Sequence, residues 1–177
     1  MPPLTLLTPL VLIALTIFGT APAQAADRLL AAPGQCAHDS GGAPAAQERA
    51  MRCLINVARA RAGLPRLSVD GRLQRSAALK NAWMLGCNQF SHTPCSRAFT
   101  AAFRTVHYAG GSYGENIAYG TSYLGSPRRI LTSWLASPGH RANILRRGWH
   151  SQGVAVRHDT FLGYADAAVW TSQFGSR

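Results

Sequence analysis

Residues 137–145 read Ser-Pro-Gly-His-Arg-Ala-Asn-Ile-Leu, and this stretch combines the signals that begin a helix with a histidine. Ser137 is a residue type that caps helices, and Pro138 suits the first helical position, where no N–H is needed. The apolar residues that follow continue the helical pattern. Because a histidine at a helix start is held by the backbone, His140 is a candidate ligand or acid/base. The segment predicts a short helix that presents one functional imidazole.

The composition of the 177-residue chain indicates one domain behind a leader. Residues 1–25 carry no charged side chain, an apolar core runs from Leu10 to Phe18, and Ala23-Gln24-Ala25 matches a signal-peptidase site. A membrane anchor is the competing interpretation, but a span needs about 20 apolar residues and polar residues interrupt this run. We therefore expect a cleaved signal peptide over 1–25, an irregular arm over 26–46 and a secreted domain over 47–177.

Four cysteines in a short exported chain predict two disulfides. Three pairings are compatible with the sequence, and we favour Cys36–Cys53 with Cys87–Cys95 because each joins neighbours along the chain. A metal site of four thiolates is the alternative, but the sequence contains no CxxC pair. Oxidation of all four thiols also argues against a cysteine nucleophile.

The charge of the chain is strongly positive, with 18 basic and seven acidic side chains and a net charge of +11. Such a chain adheres to anionic surfaces such as wall polymers or lipid headgroups. The use of arginine rather than lysine, beside abundant alanine and glycine, also fits a general composition bias. We expect no nucleic-acid partner, because no nucleic-acid motif and no aromatic platform accompanies the charge.

Helical patterns dominate the first half of the chain and extended patterns dominate the second. Asp70 is the expected cap of the second helix, and Val154 and Val156 share one face of a strand. Helices followed by strands favour an α+β layered domain. The predicted helices cover 47–62, 71–85, 97–106, 127–136 and the segment after Ser137, and the predicted extended stretches cover 116–119, 151–158 and 162–174.

Two further residues are candidates for a functional site. Glu115 lies between a glycine and a strand, where a buried carboxylate needs a partner; an arginine partner and a functional role are equally open. His92 lies inside the loop that a Cys87–Cys95 bridge would close, which fixes a side chain but also simply stabilises a loop. No nucleophile-elbow, zinc-protease or phosphate-loop motif occurs. The histidines without supporting context, interpreted as surface residues, are His38, His107, His150 and His158.

Six short motifs occur in a consistent order and together resemble the CAP superfamily. These SCP-like extracellular domains are related to cysteine-rich secretory proteins and plant pathogenesis-related class 1 proteins, and the segment over 137–145 is similar to that of the compact bacterial form. The resemblance covers residues 51–175. The motifs are Leu54-Ile55-Asn56 with Arg59 or Arg61 and Gly63-Leu64; Leu67 with Asp70 and Leu73; Phe90-Ser91-His92; Gly114-Glu115-Asn116-Ile117-Ala118; Trp134 with 137–145; and Trp170-Thr171-Ser172-Gln173-Phe174-Gly175.

The resemblance implies a three-layer α-β-α sandwich with a central, mainly antiparallel sheet. It also implies a cleft in which two histidines and two acids often hold a divalent ion. By motif, His92 and His140 correspond to the histidines and Glu115 to the first acid. The second acid normally follows the tryptophan of the preceding helix, but after Trp134 this chain has only Leu135, Ala136 and Ser137. His92, Glu115 and His140 are therefore the expected metal ligands, with zinc as the candidate ion.

Two functions are compatible with these residues. The first is a secreted, non-enzymatic binding domain whose partner is a lipid, a cell-wall component or an extracellular protein. The second is a metal-assisted hydrolase that acts on a peptide or ester through His92, His140 and Glu115. Loss of the second acid weakens acid/base chemistry more than metal binding, so we favour the binding domain and assign no catalytic residue. A purely structural hydrogen-bond network is the third interpretation.

Overall fold

The computed structural model describes residues 26–176, and the expected signal peptide over 1–25 lies outside them. No helix in the described part of the chain is long and apolar enough to cross a membrane. Two 3₁₀ turns, Pro94–Ser96 and Ser122–Gly125, supplement the helices and strands. In chain order these are α1 (Pro44–Arg61), β1 (Ser68–Val69), α2 (Gly71–Gly86), α3 (Ala101–Thr105), β2 (Tyr113–Thr121), α4 (Pro127–Ala136), α5 (Pro138–Ile144), β3 (Ser151–Phe161) and β4 (Tyr164–Gly175).

The four strands form one sheet in the order β1-β3-β4-β2. β1 runs parallel to β3, and the other two pairings are antiparallel. Leu162 and Gly163 join β3 to β4, and both have a positive φ, as a tight two-residue hairpin turn requires. This topology leaves β2 at one edge of the sheet, with α4 and α5 beside it.

Helices cover both faces of the sheet, as alternate side chains of β4 show. Trp170 belongs to the apolar cluster that includes Leu54 of α1 and Trp134 of α4. Its neighbour Val169 packs instead with Met84 of α2. Because successive strand residues point to opposite faces, α1 and α4 lie on one side and α2 on the other. The predicted α+β, three-layer α-β-α sandwich with a mainly antiparallel sheet is confirmed.

α2 packs unusually closely against β3. A Cβ atom added at Gly153 would lie 2.1 Å from the carbonyl carbon of Leu73, so only glycine permits this approach. Asp70 caps the helix as predicted, because its carboxylate accepts from the backbone N–H groups of Arg72 (2.7 Å) and Leu73 (3.1 Å). The close packing and the cap together set the position of α2 against the sheet.

The arm before α1 is held to the domain by a disulfide and an arginine. Cys36 pairs with Cys53 of α1, as predicted, with the two Cα atoms 5.8 Å apart. Arg128 of α4 donates to the carbonyl of Ala31 (2.8 Å) and to the carboxylate of Asp39 (2.9 Å). The arm is therefore tied to both helices that cover this face of the sheet.

Three local predictions differ from the structure. Ser137 occupies the N-cap position of α5, but its side chain makes no capping hydrogen bond, so the predicted side-chain cap is wrong. The helix expected over 97–106 is confined to Ala101–Thr105, and β2 is longer than the predicted 116–119. Pro138, with its fixed φ, begins α5 as predicted.

Candidate functional site

The side chain of Glu115 is completely buried on the edge strand β2 and is surrounded by three donors. Its Oε1 accepts a hydrogen bond from His92 Nδ1 (2.9 Å) and lies 3.4 Å from Lys80 Nζ. Its Oε2 accepts from Gln173 Nε2 (2.8 Å), across the β2–β4 pairing. The partner of the carboxylate is therefore a lysine and a histidine, rather than an arginine.

Lys80 is the functional residue that the sequence reasoning missed. It projects from α2 with a fully buried side chain, donates from Nζ to the carbonyl of His92 (2.6 Å), and lies 5.6 Å from the ring centroid of Phe99. A buried ammonium is costly unless it is paired, so Lys80 and Glu115 stabilise one another. The signal was present: Lys80 occupies a position on the apolar stripe of α2 marked by Leu73 and Met84.

The loop that carries His92 is closed by the predicted Cys87–Cys95 disulfide, whose Cα atoms are 5.7 Å apart. Within it, Gln89 Oε1 accepts from the Cys95 backbone N–H (2.8 Å). The His92 side chain is 48% exposed, so one edge of the ring contacts Glu115 while much of the rest is open to solvent. Because an ionised carboxylate only accepts, Nδ1 donates the proton of this hydrogen bond.

Two asparagines attach α5, and hence His140, to β2. Asn116 Nδ2 donates to the carbonyl of His140 (3.0 Å). Asn143 Nδ2 donates to Asn116 Oδ1 (2.9 Å) and to the carbonyl of Glu115 (3.1 Å). The segment over 137–145 is thus held against β2, and its position is set by side-chain hydrogen bonds to the strand.

The imidazole of His140 is partly buried beside Trp134, with ring centroids 6.4 Å apart. Burial lowers the pKa of His140, and the positive charge of protonated His92 lowers it further. At neutral pH the ring is therefore uncharged, the form that binds metals and accepts hydrogen bonds.

The three predicted metal ligands lie in one region, which we call the cleft, but of the three only His92 and Glu115 contact one another directly. Among residues 26–176, no group of three or more His, Cys, Asp or Glu side chains is arranged to hold a metal ion. Both carboxylate oxygens of Glu115 already accept donors, so this residue does not fit as a direct ligand while Lys80 lies beside it. The set of His92, Glu115 and His140 stays a prediction. The four histidines interpreted as surface residues are all exposed.

A groove runs along β2 from His140 toward the end of the strand. Near His140 it forms a cavity of about 270 Å³, and further along it opens into one of about 660 Å³. The two cavities share Ala118, Tyr119 and Ser133, and we call them together the β2 groove. The residues that line it are Phe90, Ile117, Ala118, Tyr119, Gly120, Thr121, Leu124, Arg129, Ile130, Thr132, Ser133, Trp134, Ser137, His140 and Tyr164.

The walls of the β2 groove include four aromatic side chains, Phe90, Tyr119, Trp134 and Tyr164, and none of the lining residues is acidic. Tyr119 contacts Phe90 on one side, with centroids 5.1 Å apart, and Tyr164 on the other, with centroids 6.2 Å apart. Arg129 is the one arginine in the lining. The absence of a second acid, noted in the sequence after Trp134, extends to the whole groove.

Comparison with known proteins agrees with this fold. The chain is 34% identical to the uncharacterized protein YkwD of Bacillus subtilis (strain 168) over 133 residues, which are 73% of this chain and 47% of that protein. An extracellular protein from Bacillus anthracis that contains an SCP domain superposes with a TM-score of 0.67 at 25% identity, over 76% of this chain and 41% of the other. An outer surface protein of Borrelia burgdorferi superposes with a TM-score of 0.61 at 17% identity, over 72% and 90%.

The chain thus spans less than half the length of its curated Bacillus subtilis relative. The family model of the cysteine-rich secretory proteins matches residues 45–174, a range that begins within one residue of α1 and ends within β4. It therefore includes the strand that carries Glu115, the disulfide-closed loop of His92 and the helix of His140. On this evidence the chain belongs to the cysteine-rich secretory protein (CAP) family.

Proposed function

We propose that this chain is an extracellular binding domain that acts without catalysis and holds an acidic amphiphile in the β2 groove. The amphiphile has an apolar chain and an anionic headgroup, as a fatty acid or an anionic phospholipid does. One observation carries the proposal: a groove of ligand size, lined by apolar and some aromatic side chains, contains an arginine and no acid.

The shape and lining of the groove favour an apolar chain. Its larger cavity of about 660 Å³ falls within the range of small-molecule sites, roughly 300–1,000 Å³. Tyr164 is 53% exposed and Leu124 is 51% exposed, so the groove presents apolar surface to solvent. Exposed apolar patches of this kind on a soluble domain mark interaction sites.

The charge around the groove favours an acidic headgroup. Arg129 is the one Lys or Arg side chain in the lining, and no Asp or Glu side chain lies there to offset its charge. Arg129 is exposed at the groove and offers up to five N–H donors to a carboxylate or phosphate. The two disulfides of the described chain fit an oxidising, extracellular setting.

The contacts of the Glu115 carboxylate argue against catalysis. A general base needs a lone pair directed at its substrate, but both oxygens of this carboxylate are engaged by Lys80, His92 and Gln173. Hydrolysis of a peptide or ester panel that is lost in Glu115→Gln would instead support the metal-assisted hydrolase.

The experiment is a titration of the secreted chain with a long-chain fatty acid and, separately, with vesicles that contain an anionic phospholipid. Arg129→Gln removes a charge-assisted hydrogen bond and should weaken fatty-acid binding by about tenfold. The matched control is Arg147→Gln, an exposed arginine that does not line the groove, and it should bind like wild type. Equal binding by both variants, or equal binding of a neutral fatty alcohol, would contradict the proposed headgroup.

A second candidate, divalent-ion binding, is favoured by the two imidazoles. His92 has its Nδ1 bonded to Glu115, an arrangement that orients metal-ligating histidines, and His140 is neutral at pH 7. Zinc, when bound, would add a Lewis-acidic centre at the end of the groove. Calorimetric titration of zinc into wild type, His92→Ala and His140→Ala tests this. Identical isotherms for the three proteins would contradict zinc binding by these histidines.

A further inference from the structure

We propose that Lys80 is the built-in cation of this cleft. Its ammonium occupies the space beside Glu115 that a divalent ion would need, so the cleft is organised without metal, and removal of the ammonium would convert Glu115 into a metal ligand. This inference refines the zinc candidate and does not depend on the amphiphile proposed for the β2 groove.

The charges around Glu115 are already balanced. The carboxylate supplies one negative charge, the ammonium 3.4 Å away supplies one positive charge, and both side chains are fully buried. A divalent ion bound to the same oxygen would lie within a few ångströms of the ammonium. Repulsion between like charges is strong at that distance in a partly buried site. Lys80 and a metal on Glu115 therefore exclude one another.

Lys80 is held in place by the packing of α2. Its neighbour Asn81 anchors the helix to β4: Asn81 Nδ2 donates to the carbonyl of Val169 (3.0 Å), and Asn81 Oδ1 accepts from the hydroxyl of Thr171 (2.6 Å). The ammonium lies against the face of Phe99 and donates to the carbonyl of His92. A side chain fixed at both ends has little freedom to move aside for an incoming ion.

The same contacts give Lys80 a second effect, which is to position His92. One ammonium contacts both the backbone carbonyl of His92 and the carboxylate that orients its ring. In the absence of metal, this cation supplies the charge that keeps the histidine loop against β2. The position of His92 therefore depends on contacts within the chain itself.

A further oxygen that could contact a cation in the lysine variant belongs to Gln173. Gln173 Oε1 is buried and has no hydrogen-bond partner in the described part of the chain, while the amide nitrogen of the same side chain bonds Glu115. Without Lys80, a cation beside Glu115 would find a carboxylate and the neighbouring His92 ring, with this amide oxygen close by. Carboxylate and imidazole are both zinc ligands.

The first test is a zinc titration of wild type, Lys80→Met and the double variant Lys80→Met/Glu115→Gln. Methionine keeps the length of the side chain and removes its charge. Lys80→Met should bind zinc at least about tenfold more tightly than wild type, since relief of repulsion and a freed ligand add together. The double variant should lose that gain. Equal affinity in wild type and Lys80→Met would overturn the proposal, whatever the two histidine variants show.

The second test uses wild type alone and so does not depend on the folding of a variant. Lys80 is the single lysine in the sequence, so it carries the one side-chain amine that reductive methylation can modify. Native protein dialysed against a chelator should be methylated at the N-terminal amine, with Lys80 protected until the chain is unfolded. Methylation of Lys80 as fast as of the N-terminus, or a chelator-induced fall in Tm, would overturn the proposal.

Discussion

Two buried cations lie on opposite faces of the sheet and are stabilised in different ways. Lys80, on α2, is paired with the carboxylate of Glu115. Arg59, on α1, is equally buried, but its described hydrogen bonds are all to backbone carbonyls: those of Pro65 (2.9 Å), Ile144 (2.8 Å) and Arg146 (3.0 Å). The contrast separates a cation that is part of a site from one that builds the fold around it.

Each cation holds the element that carries one of the two cleft histidines. Arg59 binds the carbonyls at the end of α5, the helix of His140, where the negative end of the helix dipole favours a positive charge. Lys80 binds the backbone of His92 itself. On each face of the sheet, a buried positive charge therefore holds the element that carries one imidazole. The two imidazoles are in this way positioned beside the edge strand β2.

Loss of the Arg59 contacts should have the largest effect. Arg59→Met would leave three carbonyls without their donor, and we expect a loss of about 4 kcal/mol in the free energy of unfolding, measured by urea denaturation. The control is Arg61→Met, an exposed position in the last turn of the same helix, where about 0.5 kcal/mol is expected. Similar losses at the two positions would show that the buried guanidinium is not the anchor of α5.

The Lys80–Glu115 pair should show strong coupling rather than a large net contribution. Glu115→Gln leaves a buried ammonium without its counter-ion and should cost about 3 kcal/mol. Lys80→Met/Glu115→Gln removes both charges, so it should be more stable than the sum of the two single losses by about 2 kcal/mol or more. Additive losses in this cycle would mean that the two side chains do not interact, and would also remove the basis of the built-in cation.

Much of the fold could be predicted from the sequence. The layered fold follows from local patterns: Asp70 caps α2, Pro127 and Pro138 begin helices, and Val154 and Val156 alternate on a strand. These signals depend on neighbours along the chain. The pairing of the four cysteines was predictable for the same reason, since both bridges join residues close in sequence.

Three residues of the site could be predicted from the sequence, but the contacts that hold them in place could not. Motifs identified His92, Glu115 and His140, yet the contact of Glu115 with Lys80 joins residues 35 positions apart, and no periodic pattern specifies it. Likewise, the bond from Arg59 to Ile144 spans 85 positions. A charged residue on an apolar helical stripe signals that it is buried and needs a partner, but identifying that partner requires the sheet topology.

The smallest expected effect is on the pH dependence of stability, and it tests the lowered pKa of His140. A lowered pKa in the folded state means that the unfolded chain takes up a proton first as the pH falls. The stability that the neutral His140 ring contributes should therefore be fully present above the ordinary histidine pKa of about 6.5. It should be lost as the pH falls below that value. His140→Gln should flatten this part of the stability profile, whereas His38→Gln, at an exposed position, should leave it unchanged.

The charge of His92 is the second cause of the lowered pKa, after burial. An NMR titration of the His140 ring in His92→Gln should consequently give a higher pKa than in wild type, though still below the ordinary value because burial remains. An unchanged pKa would mean that the two rings lie too far apart to share a ligand. Lys80 and Arg59 would then each position one histidine independently of the other.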